Sequence, residues 1–215
     1  MKRILVLTAI AAVALLGTSC KSSSGDIFPM SVGSSWNMDI LLMGGTTVAS
    51  LDTVHAGTAT NTAVEKVTLT NGKDAVKFKT DATITIRRPD PLSDTTITST
   101  DYAYYREEGD WILGYSAIDD STADTLMVTS PTVGKTWVSG TNATATVVGQ
   151  EDVTVKAGTY KNAWKLQVTS TTDSDITEMY YWYAKGVGLV KFHYGFTIQG
   201  YTEDYTQELT SSDVK

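Results

Sequence analysis

One cysteine, two histidines and four prolines are all that the 215-residue chain holds of these types. With Cys20 alone there can be no internal disulfide, so pairing says nothing about the redox compartment. His55 and His193 stand far apart in strand-like patterns, which reads as surface or edge positions rather than catalysts. Basic residues are also scarce: 17 Lys and Arg face 24 Asp and Glu. Setting aside Lys2 and Arg3 with the amino-terminal segment leaves 15 cations and a net charge of −9. A surface that acidic opposes phosphate backbones, so nucleic acid is excluded as the expected partner. Sustained helical periodicity is missing after Cys20.

What is present begins with an export signal. Lys2 and Arg3 precede an apolar run from Ile4 to Leu16, broken by Thr8, and the small residues Gly17, Thr18 and Ser19 follow. The run has thirteen residues, against roughly twenty needed to span a bilayer as a helix. Residues 1–19 are therefore expected to form a signal helix and to be removed.

Cys20 directly after small residues resembles the lipobox of bacterial lipoproteins, with Leu16 one position further back than the family's favoured Leu and Gly17 in its place. That resemblance implies a mature first residue at Cys20 carrying diacylglycerol and a palmitate-type acyl chain. Each buried methylene contributes about 0.8 kcal/mol, so such an anchor is stable. Residues 20–26, "CKSSSGD", are small and polar and suit a flexible tether. By the sorting rule of Gram-negative lipoproteins, Lys21 rather than Asp favours the outer membrane.

From Ile27 to Lys215 the chain reads as strand after strand. In "NAWKLQV" Trp164, Leu166 and Val168 share one face and Lys165 and Gln167 the other, the alternation of a half-buried strand. Turns are marked by "MGGT" (43–46), "TNGK" (70–73, read as a two-residue type I′ reversal), "EEGD" (107–110) and "KAGT" (156–159), and "RRPDPLSD" (87–94) is a loop between long strands. The expected fold is all-β: one strongly curved, mainly antiparallel sheet, barrel-like or folded into a sandwich. "PMSVGSSW" (29–36) echoes "PTVGKTW" (131–137), and "AYYREEGDWILGY" echoes "YYWYAKGVGLVKF". The echo makes 27–129 and 130–215 candidate related halves of the domain 27–215.

"FPMSVGSSW", "VTVKAGTYKNAWKL" and "YYWYAKGVGLVKF" resemble stretches of uncharacterised bacterial exported lipoproteins. The resemblance implies a β-rich envelope domain, and some such proteins are similar to the half-barrel of lipoprotein carriers.

Catalytic signatures are near misses. "GYSAI" places Ser116 where a nucleophile elbow would, but Ile118 replaces the final Gly. "VGKT" (133–136) ends like a phosphate loop, but Thr129 stands where its first Gly belongs. "DDSTAD" (119–124) and "TDSDITE" (172–178) read as solvated loops, with calcium as the alternative. No catalytic residue, metal site or cofactor is expected. The aromatic run Tyr180, Tyr181, Trp182, Tyr183 supplies the candidate ligand-facing rings: one alternate pair enters the core, and the other is covered by a strand or lines a groove. The expected function is a non-enzymatic, lipid-anchored envelope module that binds a protein, glycan or lipid or has a structural part, with a carrier of hydrophobic ligands as the alternative and a glycan-acting enzyme third.

Overall fold

The structure is a computed structural model that describes residues 26–46, 52–88, 92–140, 142–170 and 176–215. The signal segment 1–19 and Cys20 lie outside the described residues.

Among the described residues, alternation of β-branched and aromatic residues with polar ones produces twelve strands: β1 (Ser35–Gly45), β2 (Asp52–Thr68), β3 (Asp74–Ile86), β4 (Thr95–Glu108), β5 (Trp111–Tyr115), β6 (Asp124–Val128), β7 (Thr136–Val138), β8 (Ala143–Val155), β9 (Gly158–Ser170), β10 (Ile176–Ala184), β11 (Gly188–Ile198) and β12 (Tyr201–Asp213). They form one antiparallel sheet in the order β6-β5-β4-β3-β2-β1-β12-β11-β10-β9-β8-β7. Each run of six is a meander, and the two runs join where β1 pairs with β12 from Ser35↔Asp213 to Gly45↔Thr202. The far edges, β6 and β7, meet without a ladder: the Trp137 indole N–H donates to the Thr125 carbonyl at 3.0 Å, and the Trp111 and Trp137 rings stand 6.0 Å apart. The sheet is thereby a nearly closed barrel, which among the two shapes expected decides against a sandwich.

The two echoed motifs build the same turn. Gly33 and Gly134 have φ of +91° and +85°, a conformation that glycine adopts without strain. The Gly33 N–H donates to Ala63 O and the Gly134 N–H to Val147 O, both at 2.8 Å. Ala63 and Val147 then return their N–H groups to Ser34 O and Lys135 O at 3.0 and 2.9 Å. A shift of six strands carries β1 onto β7 and β4–β5 onto β10–β11, so the β12–β1 ladder and the unpaired β6–β7 seam occupy corresponding places.

Two turns differ from expectation. Gly72 has φ +80° while Asn71 does not enter the positive-φ region, so "TNGK" is not a type I′ reversal. The Leu69 carbonyl accepts from Gly72 N–H, and Leu69 N–H donates to Lys73 O, both at 2.8 Å, giving a three-residue loop whose glycine takes the left-handed position. Gly44 and Gly45 of "MGGT" belong to β1 rather than to a reversal. A Cβ on Gly44 would lie 2.4 Å from the Tyr201 hydroxyl, so the absent side chain makes room for a phenol.

The interior is sealed at one end. Ile27, Phe28 and Met30 are buried, and Gly186 N–H fixes this entering segment through Asp26 O at 2.7 Å. Phe28 packs on Tyr105 of β4 (5.9 Å) and Tyr183 of β10 (6.3 Å), bridging strands from the two runs. Trp36 stands 6.0 Å from Phe78 and gives its indole N–H to Val187 O at 2.6 Å, tying the start of β1 to the β10–β11 turn. The β8–β9 hairpin reaches further still: Ala157 N–H bonds Leu209 O of β12 at 3.0 Å, and Lys156 pairs with Asp39 of β1. Because Asp39 alternates with inward Met38 and Ile40, this arm crosses the outside of the barrel.

Candidate functional site

The inner wall changes character along the barrel axis. On β3 the inward residues Val76, Phe78 and Thr80 are buried, whereas the next three, Ala82, Ile84 and Ile86, are half-buried. On β4 the inward row passes from buried Tyr105 and Ala103 through Asp101 and Ser99 to Ile97, which is 44% exposed. Register carries the same transition around the wall. Ile84 faces Ile97 and Gly57, and Ile86 faces His55. Leu42 faces His55 and Tyr205, and Phe196 faces Glu203. Met179 faces Tyr194, and Tyr181 faces Phe192 and Leu166. Opposite the sealed end, therefore, the barrel presents a mouth lined largely by Ile, Val, Met and aromatic side chains.

Gly57 shapes this wall. A Cβ there would lie 2.2 Å from Thr83 O and 2.8 Å from Ile84 Cα, so the β2 and β3 backbones approach as only glycine permits.

The four candidate aromatics divide between the faces. Tyr183 is buried against Phe28, and Tyr181 stacks on it at 6.3 Å and on Phe192 at 4.6 Å, with Phe192 in turn 5.8 Å from Tyr205. These phenols lie inside the barrel. Burial pushes the Tyr105, Tyr181, Tyr183 and Tyr205 hydroxyls above their ordinary pKa, and neighbouring phenols add to the effect for the first three: Tyr181 for Tyr105 and Tyr183, and Tyr205 for Tyr181. Tyr181 nevertheless keeps part of its surface open, as a ring lining a concavity does.

Tyr180 and Trp182 are on the outside. Trp182 faces Lys165 and Lys191 across its neighbours, whose ammonium groups stand 5.0 and 5.9 Å from its ring, and its indole N–H donates to Glu151 Oε1 at 2.6 Å. It is 7% exposed. Its cover is made of lysine stems and β8 rather than a ligand groove.

The histidines also part company. His193 is on the outer face, its Nε2 3.0 Å from Asp204 Oδ2. His55 is neither at the surface nor on an edge strand: it faces inward in the mouth, and burial lowers its pKa. Ser116 is no nucleophile elbow, because its Oγ and N–H both donate to Asp120 Oδ2, at 2.7 and 2.9 Å. Those bonds and the Ala117 N–H hold the Asp120 carboxyl below the usual range, closing its loop. Residues 172–175 of the second acidic stretch lie outside the described residues. Among the described residues no three His, Cys, Asp or Glu converge as metal ligands.

A second concavity, of about 430 Å³, lies at the sealed end between β2, β3 and β4. Met30, Val76 and Tyr105 line it together with Lys66, Asp74, Arg106 and Glu107. Arg106 is already engaged there, with Nε on Asp74 O at 3.2 Å and a guanidinium N–H on Glu108.

The sequence did not single out Glu203, Tyr205 or Gln207, all on the inner face of β12. Glu203 faces Gly44 and Phe196, and burial raises its carboxyl above the ordinary range. The alternation Tyr-x-Glu-x-Tyr-x-Gln in "YTEDYTQEL" is the signal that could have found the row.

Comparison with known proteins adds a partial match. A family model described as DUF3108-like matches residues 113–194. No curated protein matches the chain. Among solved structures, a Bacteroides fragilis protein described as exported and of YmcC-like fold aligns at TM-score 0.47 and 11% identity, covering 88% of this chain and 99% of its own. A Parabacteroides distasonis protein described as a lipoprotein aligns at TM-score 0.37 and 13% identity, covering 89% and 100%.

Proposed function

We propose that this protein is a lipid-anchored module of the bacterial envelope, without enzymatic activity, that holds an apolar ligand in the open mouth of its barrel. The observation that carries the ligand reading is the wall itself: inward rows closed by Phe28 and Phe78 at the sealed end open at the other into half-exposed apolar positions at Ile84, Ile97, Val168 and Met179, with Asp101 and Ser99 as the polar interruption on β4. Exposing such a surface to water costs about 25 cal/mol per Å², a cost an apolar ligand removes. The anchor rests on Cys20 and its flanks, and the outer membrane on Lys21.

The test of the mouth is titration with the apolar dye N-phenyl-1-naphthylamine. Saturable binding that Ile84→Asp abolishes, with the fold retained by circular dichroism, supports the reading; absence of saturable binding refutes it. The anchor has its own test, since an unmodified peptide containing Cys20 in the mature protein contradicts acylation.

A further inference from the structure

The inner face of β12 differs from the rest of the mouth. Alternation puts Tyr201, Glu203, Tyr205 and Gln207 in one inward row, from the rim, where Tyr201 is 37% exposed, to the centre, where Gln207 is 1% exposed. On β1 this row is flanked by Gly44, Leu42 and Ile40, and on β11 by Phe196, Tyr194 and Phe192. A line of polar groups thus runs down a wall that is otherwise apolar on both sides.

The deepest member is incomplete. The Gln207 Nε2 donates to the Tyr205 hydroxyl, while its buried Oε1 has no hydrogen-bond partner. Turning the amide over only exchanges which end is left without a partner. A buried polar atom left so costs about 1–3 kcal/mol, which a bound hydrogen-bonding group would recover.

The charges along the mouth are one-sided. Among the described residues, its inward ionisable side chains on the lining strands are Glu203, Asp101, His55 and, past the bulge that brings it opposite Gly44, Asp52. Lys77, Lys79, Lys165 and Lys191 alternate to the outside, where they pair with Glu65, Asp81, Glu151 and Glu208, and Lys66 of β2, which faces Val76, lies away from the mouth in the concavity at the sealed end. Arg87 and Arg88 follow β3 in the loop and are exposed. An anionic head group entering the mouth would meet carboxyls and, among the described strand residues there, no lysine or arginine.

We propose that Tyr201, Glu203, Tyr205 and Gln207 form the head-group site of the mouth, and that its ligand is an amphiphile whose head is uncharged or cationic and donates hydrogen bonds. This assignment rests on the reading of the mouth as a ligand site. The apolar chain lies against Ile84, Met179 and Phe196, and the head donates to the Glu203 carboxylate and to the free end of Gln207.

The test uses the full chain carrying Cys20→Ser, with N-phenyl-1-naphthylamine bound, and three competitors of equal chain length: monolauroylglycerol, dodecylamine and laurate at pH 7.5. Monolauroylglycerol and dodecylamine are expected to displace the dye at concentrations at least tenfold below that of laurate. Glu203→Lys is expected to bring laurate to parity or better, and Gln207→Leu to weaken monolauroylglycerol about tenfold while dye affinity holds. Equal competition by all three, or preference for laurate in the unsubstituted wall, with dye still bound, overturns the head-group assignment and leaves the apolar mouth standing. Failure of the dye to bind at all removes the mouth reading and this assignment with it. The unsubstituted order of competitors decides the matter even where a variant fails to fold.

Discussion

Replacing Phe28 with Ala tests whether the segment before β1 is part of the barrel's core. The side chain is 3% exposed and touches Tyr105 and Tyr183, which belong to opposite runs of the sheet. A buried Phe→Ala substitution costs about 3–5 kcal/mol, and the two ring contacts, at about 0.5–1.5 kcal/mol each beyond area, place this one toward the upper end. Domains of this kind are stable by about 5–15 kcal/mol, so the loss is a large fraction of the total. The comparison is Ile97→Ala at the mouth, where 44% of the side chain's residue surface is already exposed and about 1 kcal/mol is expected. Urea unfolding followed by tryptophan fluorescence gives both values, provided the m value is unchanged. If Phe28→Ala costs no more than Ile97→Ala, the segment is not a plug and that end of the barrel is not sealed.

Three other substitutions probe separate parts of the account. Gly57→Ala places a Cβ 2.2 Å from Thr83 O, a backbone atom with no room to yield, and is expected to cost about 3 kcal/mol or more by urea unfolding. Trp137→Phe keeps a ring against Trp111 but loses the donor to Thr125 O; about 0.5–1.5 kcal/mol is expected, with faster amide exchange in β6 and β7 and none of that acceleration in β1 or β12. Glu203→Gln concerns pH. The folded carboxyl holds its proton more tightly than the unfolded one because burial disfavours the anion, so its charge lowers stability as pH rises from the unfolded toward and past the folded pKa. The Gln variant is therefore expected to be the more stable protein at neutral pH, and its advantage to shrink as pH falls through the raised folded pKa and to be gone below the ordinary glutamate range. An advantage that grows on acidification would contradict the assignment.

Much of the architecture was legible because alternation is a local signal. The strand character of "NAWKLQV" follows from its period, and the structure buries Leu166, half-buries Trp164 and Val168, and turns Lys165 outward. The glycine of each echoed motif announced a tight turn for the same local reason. Closure was not legible, because β1 meets β12 across about the whole chain and no short pattern encodes a partner that distant. Bulges hid other faces: shifts between Val147 and Gly149 and between Glu151 and Val153 break the period that would predict which residues of β8 are inward. Alternation divides the aromatic run into two pairs, but only the structure assigns Tyr181 and Tyr183 to the lumen and Trp182 to the lysines. The row on β12 carries a weaker signal: both faces of "YTEDYTQE" are polar, so only the alternate tyrosines, Tyr201 and Tyr205, point to the inward one.

The most direct measurement of the central claim locates a bound apolar probe. Addition of a spin-labelled apolar chain to isotopically labelled protein should broaden NMR signals of Ile84, Ile97, Val168 and Met179 in the mouth, and leave those of Ile27, Met30 and Ala103 at the sealed end sharp. Broadening confined to the outer face, or spread evenly over both ends, would contradict a barrel that takes its ligand through one open mouth.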